Sequence, residues 1–275
     1  MRWTPGGKSD NVEDRRGMGG LGRGLGIGGT VIVLALSLIT GRNLFNDLGV
    51  QPGVRSSTAM SPADSAREDT AVQFVSFVLD DTEKTWRDIL AKSNESYPAP
   101  KLVLFRDGTE SGCGFAQSAM GPFYCPLDEK LYIDLGFYDE LKNRYGAAGD
   151  FAQAYVLAHE VGHHVQHLMG TDVQVRQAES ANPDQANQYS VRLELQADCY
   201  AGVWANSTQQ RNLLQAGDVQ EAMNAAAAVG DDRIQQQSGQ RVNVDAFTHG
   251  SAAQREEWFN RGFQSGDVRQ CDTFR

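Results

Sequence analysis

Basic charge is scarce over most of this 275-residue sequence. Residues 1–42 hold six of the 25 basic side chains and three of the 35 acidic ones, so residues 43–275 carry 19 basic and 32 acidic side chains and a net charge of −13. Such an acidic balance argues against binding to nucleic acid or to an anionic lipid surface. We therefore predict no nucleic-acid partner and attribute the charge to solubility.

Cysteine is also scarce, and its spacing excludes one kind of metal site. The four cysteines are Cys113, Cys125, Cys199 and Cys271. None has the C-x-x-C spacing that is typical of a structural zinc site. An even number of cysteines permits disulfides outside the cytoplasm, with three possible pairings. We favour pairing the first with the second and the third with the fourth; in the cytoplasm we would expect four free thiols.

Residues 24–41 form an uncharged apolar run of eighteen residues. As a helix it would be about 27 Å long, close to the roughly 30 Å hydrocarbon core of a bilayer. A buried core helix is disfavoured because the run shows no amphipathic face. A cleaved signal peptide is disfavoured because the preceding segment is long and no small-x-small site follows. The run therefore predicts a single transmembrane anchor.

The charges beside this run predict its orientation. Arg15, Arg16 and Arg23 precede it, and the positive-inside rule places that side in the cytoplasm. We therefore predict a single-pass protein of the cytoplasmic membrane with an extracytoplasmic domain; a domain that faces the cytoplasm is the alternative. The predicted organisation is a disordered cytoplasmic tail at 1–23, the anchor at 24–41, a linker at 42–69 and a globular domain at 70–275.

The strongest motif lies in residues 151–169, which read FAQAYVLAHEVGHHVQHLM and predict a helix. His159 and His163 are four residues apart, so they share one helix face and can bind the same metal ion. Glu160 can reach a water on that metal without being a ligand. Imidazole ligands and an open position favour zinc, with Glu160 as the general base. A buried helix that carries these residues by chance is the alternative.

A catalytic zinc site needs a third protein ligand, and α-helical spacing excludes the nearest candidates. In the motif H-E-x-x-H-x-x-G-x-x-H, a glycine and a third histidine would stand where this chain has Gln166 and Met169. His167 is eight residues from His159, about 12 Å along a helix axis, which is too far for one ion. We expect His164 and His167 to lie at the surface or to support the ligands from outside.

Residues 190–207 supply a better candidate. They form a second predicted helix, on which Glu194 and Asp198 are four residues apart and share a face. Glu194 is the predicted third ligand, and Asp198 is predicted to accept the second ring N–H of a ligating histidine. A solvated acidic face is the alternative, although apolar neighbours disfavour it. The sequence thus predicts one Zn²⁺ per chain, bound by His159, His163 and Glu194.

The pattern H-E-x-x-H followed by E-x-x-x-D on a second helix resembles that of the gluzincin metallopeptidases. More closely, the chain is similar to the neutral zinc metallopeptidases of bacteria. The resemblance implies a membrane-anchored zinc peptidase. The matching stretches are SDNVEDRRG at 9–17, SGCG at 111–114, GPFYCP at 121–126, HEVGHHVQ at 159–166, ELQADCYAG at 194–202 and FTHG at 247–250.

A second resemblance concerns His249. The sequence Thr248-His249-Gly250 is similar to the T-H-P stretch of CAAX-type membrane gluzincins, in which the histidine faces the active site. This resemblance implies that His249 donates to the developing oxyanion. The chain departs from the pattern at Gly250, where those enzymes have proline. A helix-capping or surface histidine is the alternative.

The order of predicted elements indicates the fold class. Strands come first and helices follow, which favours an α+β fold: a mainly helical, zincin-like domain with a small antiparallel sheet, preceded by one transmembrane helix. The predicted elements are a helix from about 72 to 92, a strand at 101–105, a hairpin at 122–126 and 130–135, the two motif helices, and helices at 218–229 and 252–264.

Together these features predict a membrane-anchored zinc endopeptidase. We expect its peptide or protein substrate to pair with an edge strand of the small sheet. The alternative is a catalytically inert, zinc-stabilised extracytoplasmic binding or assembly module. Glu160 favours the enzyme, because holding zinc does not require that carboxylate.

Overall fold

The computed structural model describes residues 1–17 and 62–275, in which helix predominates. The strands are β1 (Val12–Asp14), β2 (Lys101–Phe105), β3 (Gly108–Ser111), β4 (Gly114–Gln117), β5 (Phe123–Cys125) and β6 (Lys130–Asp134). The α-helices are α1 (Pro62–Leu90), α2 (Gly136–Asn143), α3 (Asp150–Leu168), α4 (Thr171–Ala181), α5 (Ala186–Gln210), α6 (Asp218–Ala228), α7 (Asp231–Gln237) and α8 (Ala252–Ser265). These elements confirm the prediction of a mainly helical α+β fold.

The main sheet has four strands in the order β1-β2-β6-β5. β5 and β6 form the predicted antiparallel hairpin, whereas β1 and β6 both pair in parallel with β2. Strands β3 and β4 form a separate antiparallel pair. Side chains alternate along β2: Leu102 and Leu104 belong to the main core, and Val103 and Phe105 belong to a smaller cluster on the other face.

Residues 1–17 are part of the fold, which differs from the disordered tail predicted at 1–23. β1 supplies an edge strand of the main sheet. Met1 is buried, and its ammonium group lies 2.6 Å from the Asp150 carboxylate at the start of α3. The polar, glycine-rich composition of this segment predicted disorder. Composition alone does not show that β1 pairs with β2, and this pairing provides hydrogen-bond partners for the backbone.

This strand pairing also corrects the predicted membrane topology. Because β1 and β2 lie in one sheet, the segment before the predicted anchor and the domain after it lie on the same side of any membrane. The predicted anchor itself, residues 24–41, lies outside the described residues, as does most of the linker. Across residues 1–17 and 62–275, no helix combines the length and apolar character needed to span a bilayer. The predicted localisation, with the N-terminus inside and the domain outside the cytoplasmic membrane, is therefore wrong.

Helix α1 begins earlier than predicted, within the linker expected at 42–69. Its first residue is Pro62, and proline is well suited to the first turn of a helix because its missing N–H would have no partner there. The apolar positions that predicted this helix are buried, including Val75, Val78 and Leu79. α1 packs against α3 and α5 and so closes one side of the core.

Both disulfides form as favoured by the sequence. One bond joins Cys113 to Cys125 and ties the turn between β3 and β4 to the edge strand β5. The other joins Cys199 to Cys271 and ties the C-terminal segment to α5. Within the described residues no cysteine is free.

Candidate metal centre

The two histidines of the H-E-x-x-H motif lie side by side on α3. Their ring centroids are 4.8 Å apart, and the ring planes are perpendicular. This arrangement follows from the helix, in which residues four apart lie on one face. Most of α3 is buried, so packing against neighbouring elements holds the motif in place.

Helix α5 brings Glu194 against both imidazoles. Glu194 Oε2 lies 3.1 Å from His159 Nε2, and Oε1 lies 3.4 Å from His163 Nε2. One ligand atom from each of the three residues lies within 4.8 Å of the other two. Two imidazole nitrogens and one carboxylate oxygen are a donor set of catalytic zinc sites. The three predicted ligands are therefore brought together, and their donor atoms fit a zinc ion.

The imidazoles and carboxylates of the site shift each other's pKa values. Burial lowers the pKa of His159, but the carboxylates of Asp198 and Glu194 outweigh this effect and raise the pKa to about 10. Burial raises the pKa of the Glu194 carboxyl, but the two imidazoles hold that pKa well below its usual range. The Glu194 carboxylate and the two imidazoles therefore lie close enough to stabilise opposite charges on one another.

Asp198 is fully buried and accepts hydrogen bonds from three side chains. Its Oδ1 accepts from His159 Nδ1 at 2.8 Å and from the Tyr155 hydroxyl. Arg255 donates to both oxygens, from Nε at 2.8 Å and from Nη2 at 2.9 Å. Burial raises the pKa of Asp198, but Arg255 and His159 outweigh it and lower the pKa. The ionised carboxylate can only accept, so His159 carries a proton on Nδ1, which is the contact that the sequence predicts for Asp198.

Neither Tyr155 nor Arg255 was assigned a role from the sequence. Tyr155 stands four residues before His159, so helical spacing offered a signal for it. Arg255 follows the T-H-G stretch, but only the packing of α8 on α5 brings it to Asp198. That packing depends on Gly262, where a Cβ atom would lie 1.9 Å from the backbone carbonyl oxygen of Cys199.

Gln166 supports the other histidine and was also missed. It is fully buried, and its Oε1 lies 2.8 Å from His163 Nδ1. In the sequence, Gln166 served only to exclude a motif with a third histidine. Its position three residues after His163, on the same helix face, was the available signal.

The remaining histidines of α3 bond elsewhere. His164 is 1% exposed, and its ring nitrogens lie 3.1 Å from the Tyr124 hydroxyl and 2.8 Å from the Pro98 carbonyl oxygen. The prediction that His164 lies at the surface or supports a ligand is wrong, because β5 and the loop before β2 cover that side of α3. His167 is partly exposed and pairs with Asp172 at 2.8 Å.

A cavity of about 570 Å³ opens over the two imidazoles. Glu160 lies in its wall and is only 7% exposed. Strand β5 contributes Phe123 and Tyr124 to another side, and α2 contributes Phe137. The three predicted ligands and the predicted base therefore share one cavity.

His249 reaches the same cavity from the loop between α7 and α8. The backbone N–H groups of Thr248, His249 and Gly250 all donate to Asp231 Oδ2, at 2.7, 2.6 and 3.0 Å. His249 Nδ1 lies 3.1 Å from Asp231 Oδ1. This bond raises the pKa of His249; burial opposes the rise, and the nearby Glu194 carboxylate adds to it. Asp231 was not identified from the sequence, because no local pattern connects it to His249.

A second acidic group lies at the start of α3. Asp150, Asp218 and Glu221 also bring their oxygens within 4.8 Å of one another. The Met1 ammonium group is bound there, 2.6 Å from Asp150 and 3.3 Å from Asp218. Two of these three carboxylates therefore already bind a cation that belongs to the chain itself.

Comparison with known protein families identifies the group to which the chain belongs. A family model described as "Putative neutral zinc metallopeptidase" matches residues 1–274. The chain belongs to this family. The match confirms the resemblance found in the sequence, and it agrees with a zinc-binding donor set inside a cavity.

Relatives in several bacteria match over most of the chain. It is 51% identical to "Uncharacterized protein YpfJ" of Escherichia coli strain K12, over 283 residues that cover 100% of this chain and 99% of the relative. It is 45% identical over 203 residues to "Uncharacterized protein Rv2575" of Mycobacterium tuberculosis and to "Uncharacterized protein Mb2605" of Mycobacterium bovis, covering 70% of this chain and 67% of each relative. No solved structure matches the chain. These names assign no substrate.

Proposed function

We propose that the chain is a zinc-dependent endopeptidase that hydrolyses peptide bonds and holds one Zn²⁺ per chain. The observation that carries the proposal is the convergence of His159, His163 and Glu194 in a cavity whose wall includes Glu160. When bound, zinc supplies Lewis acidity that polarises the scissile carbonyl and lowers the pKa of water. Membership of the neutral zinc metallopeptidase family supports this reaction class.

Glu160 is the general base in this proposal. It adjoins a ligand in the sequence but does not belong to the ligand group, so its carboxylate remains available to take a proton from the attacking water. It then passes the proton to the leaving amine. Its low exposure supports the role, since a site shielded from bulk water strengthens electrostatic interactions with the developing charges.

His249 donates to the developing oxyanion. Asp231 engages Nδ1 and the backbone of the loop, which leaves Nε2 as the ring nitrogen available to the cavity. The raised pKa of His249 favours the protonated ring, which can donate from both nitrogens. A donor that is already oriented costs little reorganisation when charge develops on the substrate oxygen.

The substrate is an extended segment of a peptide or protein that pairs with β5. This strand is at the edge of the main sheet, and among the strands of residues 1–17 and 62–275 it pairs with β6 alone, so we expect a substrate strand to pair along its outer edge. Phe123 and Tyr124 of β5 line the cavity, which places the free edge beside the predicted ligands. Edge strands bind extended peptides by main-chain hydrogen bonds.

Replacement of Glu160 by glutamine tests the proposal. Glutamine keeps the size of the side chain but removes the base, so zinc content and folding should be unchanged. Cleavage of an unfolded protein substrate should fall by at least about 10²-fold, the lower end of the usual contribution of general acid–base catalysis. Glu257→Gln is a matched control, because that carboxylate is exposed on α8.

The results separate the enzyme from the alternative binding module. If wild-type protein and Glu160→Gln both hold zinc and neither cleaves a broad peptide library, the chain is a zinc-stabilised binding module. If Glu160→Gln cleaves as fast as wild type, Glu160 is not the base.

A further inference from the structure

We infer that Gln166 and Gln196 are positioning residues that hold His163 in the tautomer and orientation required for metal binding. The inference rests on the proposed zinc site, but it concerns side chains that neither metal motif specifies. The side-chain amides of Gln166 and Gln196 form a line of hydrogen bonds from His163 in the cavity to Cys271 in the C-terminal segment.

Gln166 sits between the two helices that supply the ligands. Its Oε1 lies 2.8 Å from His163 Nδ1 on α3. Its Nε2 donates to the Leu193 carbonyl oxygen at 2.7 Å, in the residue just before Glu194 on α5. It is fully buried, so no bulk water can replace these bonds. One amide therefore contacts a ligand on one helix and the backbone next to a ligand on the other.

Gln196 extends this line away from the cavity. It is 6% exposed, and its Oε1 accepts from Gln166 Nε2 at 3.1 Å. Its own Nε2 donates to the backbone carbonyl oxygen of Cys271 at 3.1 Å. Cys271 is fixed in turn by its disulfide to Cys199 on α5. The far end of the line is therefore covalently attached to the helix that carries Glu194.

The Cys271 carbonyl oxygen, at the end of the line, determines which group donates in each hydrogen bond between Cys271 and His163. A backbone carbonyl oxygen only accepts, so Gln196 must present its NH₂ group to Cys271 and its oxygen to Gln166. The Leu193 carbonyl likewise requires the NH₂ group of Gln166. The oxygen of Gln166 is left to face His163, whose Nδ1 must carry the proton.

This direction determines which nitrogen of His163 can bind a metal. With a proton on Nδ1, the Nε2 lone pair is free and lies 3.4 Å from Glu194 Oε1, where the proposed ion would bind. The opposite tautomer would set the Nδ1 lone pair against the Gln166 oxygen. His159 is held differently, by the ionised carboxylate of Asp198. The two ligands therefore depend on separate supports, one neutral and one charged.

Zinc affinity of the full chain tests the inference without relying on catalysis. In Gln166→Leu, the zinc dissociation constant, measured by competition with a chelator, should rise roughly 10–100-fold, as for other partners of metal-binding histidines. Gln196→Leu lies one bond further from the ligand and should show a smaller rise. Gln153→Leu, on the same helix but outside the line of amides, is the matched control and should bind zinc like wild type.

A spectroscopic measurement distinguishes positioning from packing. In cobalt-substituted protein, the ring N–H of each ligating histidine gives a shifted, exchangeable proton signal. Gln166→Leu should increase the solvent exchange of one such signal, that of His163, and leave the signal of His159 unchanged. Equal changes in both signals would mean that Gln166 acts only through packing and would overturn the inference.

The outcomes separate this inference from the proposed function. If wild-type protein binds zinc and His163→Ala does not, while Gln166→Leu and Gln196→Leu bind as tightly as wild type, the inference alone is wrong. If wild-type protein binds no zinc, the proposed metal centre is wrong and the inference is wrong with it. Should Gln166→Leu fail to fold, Gln196→Leu decides, because wild-type affinity there contradicts the inference.

Discussion

Asp198→Asn is the substitution whose consequences follow most directly from the contacts of the site. The wild-type carboxylate is fully buried and pairs with Arg255, which is itself 3% exposed. Asparagine keeps one oxygen but replaces the other by an NH₂ group, which must face a donor from Arg255, Tyr155 or His159. The substitution therefore leaves a buried guanidinium without its counter-ion and gives His159 a poorer acceptor.

Two different quantities should change. Breaking a buried ion pair by removing one partner typically costs about 3–5 kcal/mol, so the free energy of unfolding should fall by that amount. Loss of the acceptor for a metal-binding histidine should weaken zinc binding by roughly 10–100-fold. Unfolding in urea must be measured on metal-free protein, because zinc bound to the folded state would add to the apparent stability. Asp88→Asn, in an exposed ion pair with Lys84, is the control and should change neither quantity.

A second substitution separates the two effects. Adding Arg255→Met to Asp198→Asn removes the unpaired cation, so part of the lost stability should return. Zinc affinity should stay low, because His159 still lacks its ionised acceptor. If the double variant recovers zinc affinity together with stability, Asp198 acts through folding alone. Wild-type zinc affinity in Asp198→Asn itself would refute the reasoning more directly.

Two further substitutions test the third predicted metal ligand and the hydrogen-bond partner of His249. Glu194→Ala should abolish stoichiometric zinc in elemental analysis of purified protein, whereas retained zinc would exclude Glu194 as a ligand. Asp231→Asn should remove the interaction that raises the pKa of His249. If protonated His249 is the active form, cleavage declines as the pH rises through its pKa, so in Asp231→Asn the alkaline decline of kcat/KM should begin at lower pH, with zinc content unchanged. An unaltered pH profile would exclude His249 as the group responsible.

Local sequence patterns were sufficient to predict which side chains converge at the candidate site. The spacing of His159 and His163 defines one helix face, and the spacing of Glu194 and Asp198 defines another. The structure brings these two faces together across α3 and α5. The disulfide partners were also predictable, because few pairings exist among four cysteines.

The supporting residues were not predictable in the same way. Gln166 and Arg255 gain their roles only from contacts with residues on other helices. The N-terminal segment was misjudged because its parallel pairing with β2 involves residues about 90 positions away. The apolar run at residues 24–41 and its flanking charges predicted the membrane topology. Neither pattern contains information about the pairing of β1 with β2, so the predicted localisation was wrong.

The Cys199–Cys271 disulfide has a consequence for the unfolded chain. It closes a loop of 72 residues, and this loop contains Asp231, His249 and Arg255. In the chain-entropy estimate, a closed loop of this length reduces the freedom of the unfolded state by roughly 4 kcal/mol. The oxidised chain therefore keeps the supports of the cavity confined near α5 even when no tertiary contacts exist. A reduced chain would have to find those contacts from a much larger set of conformations.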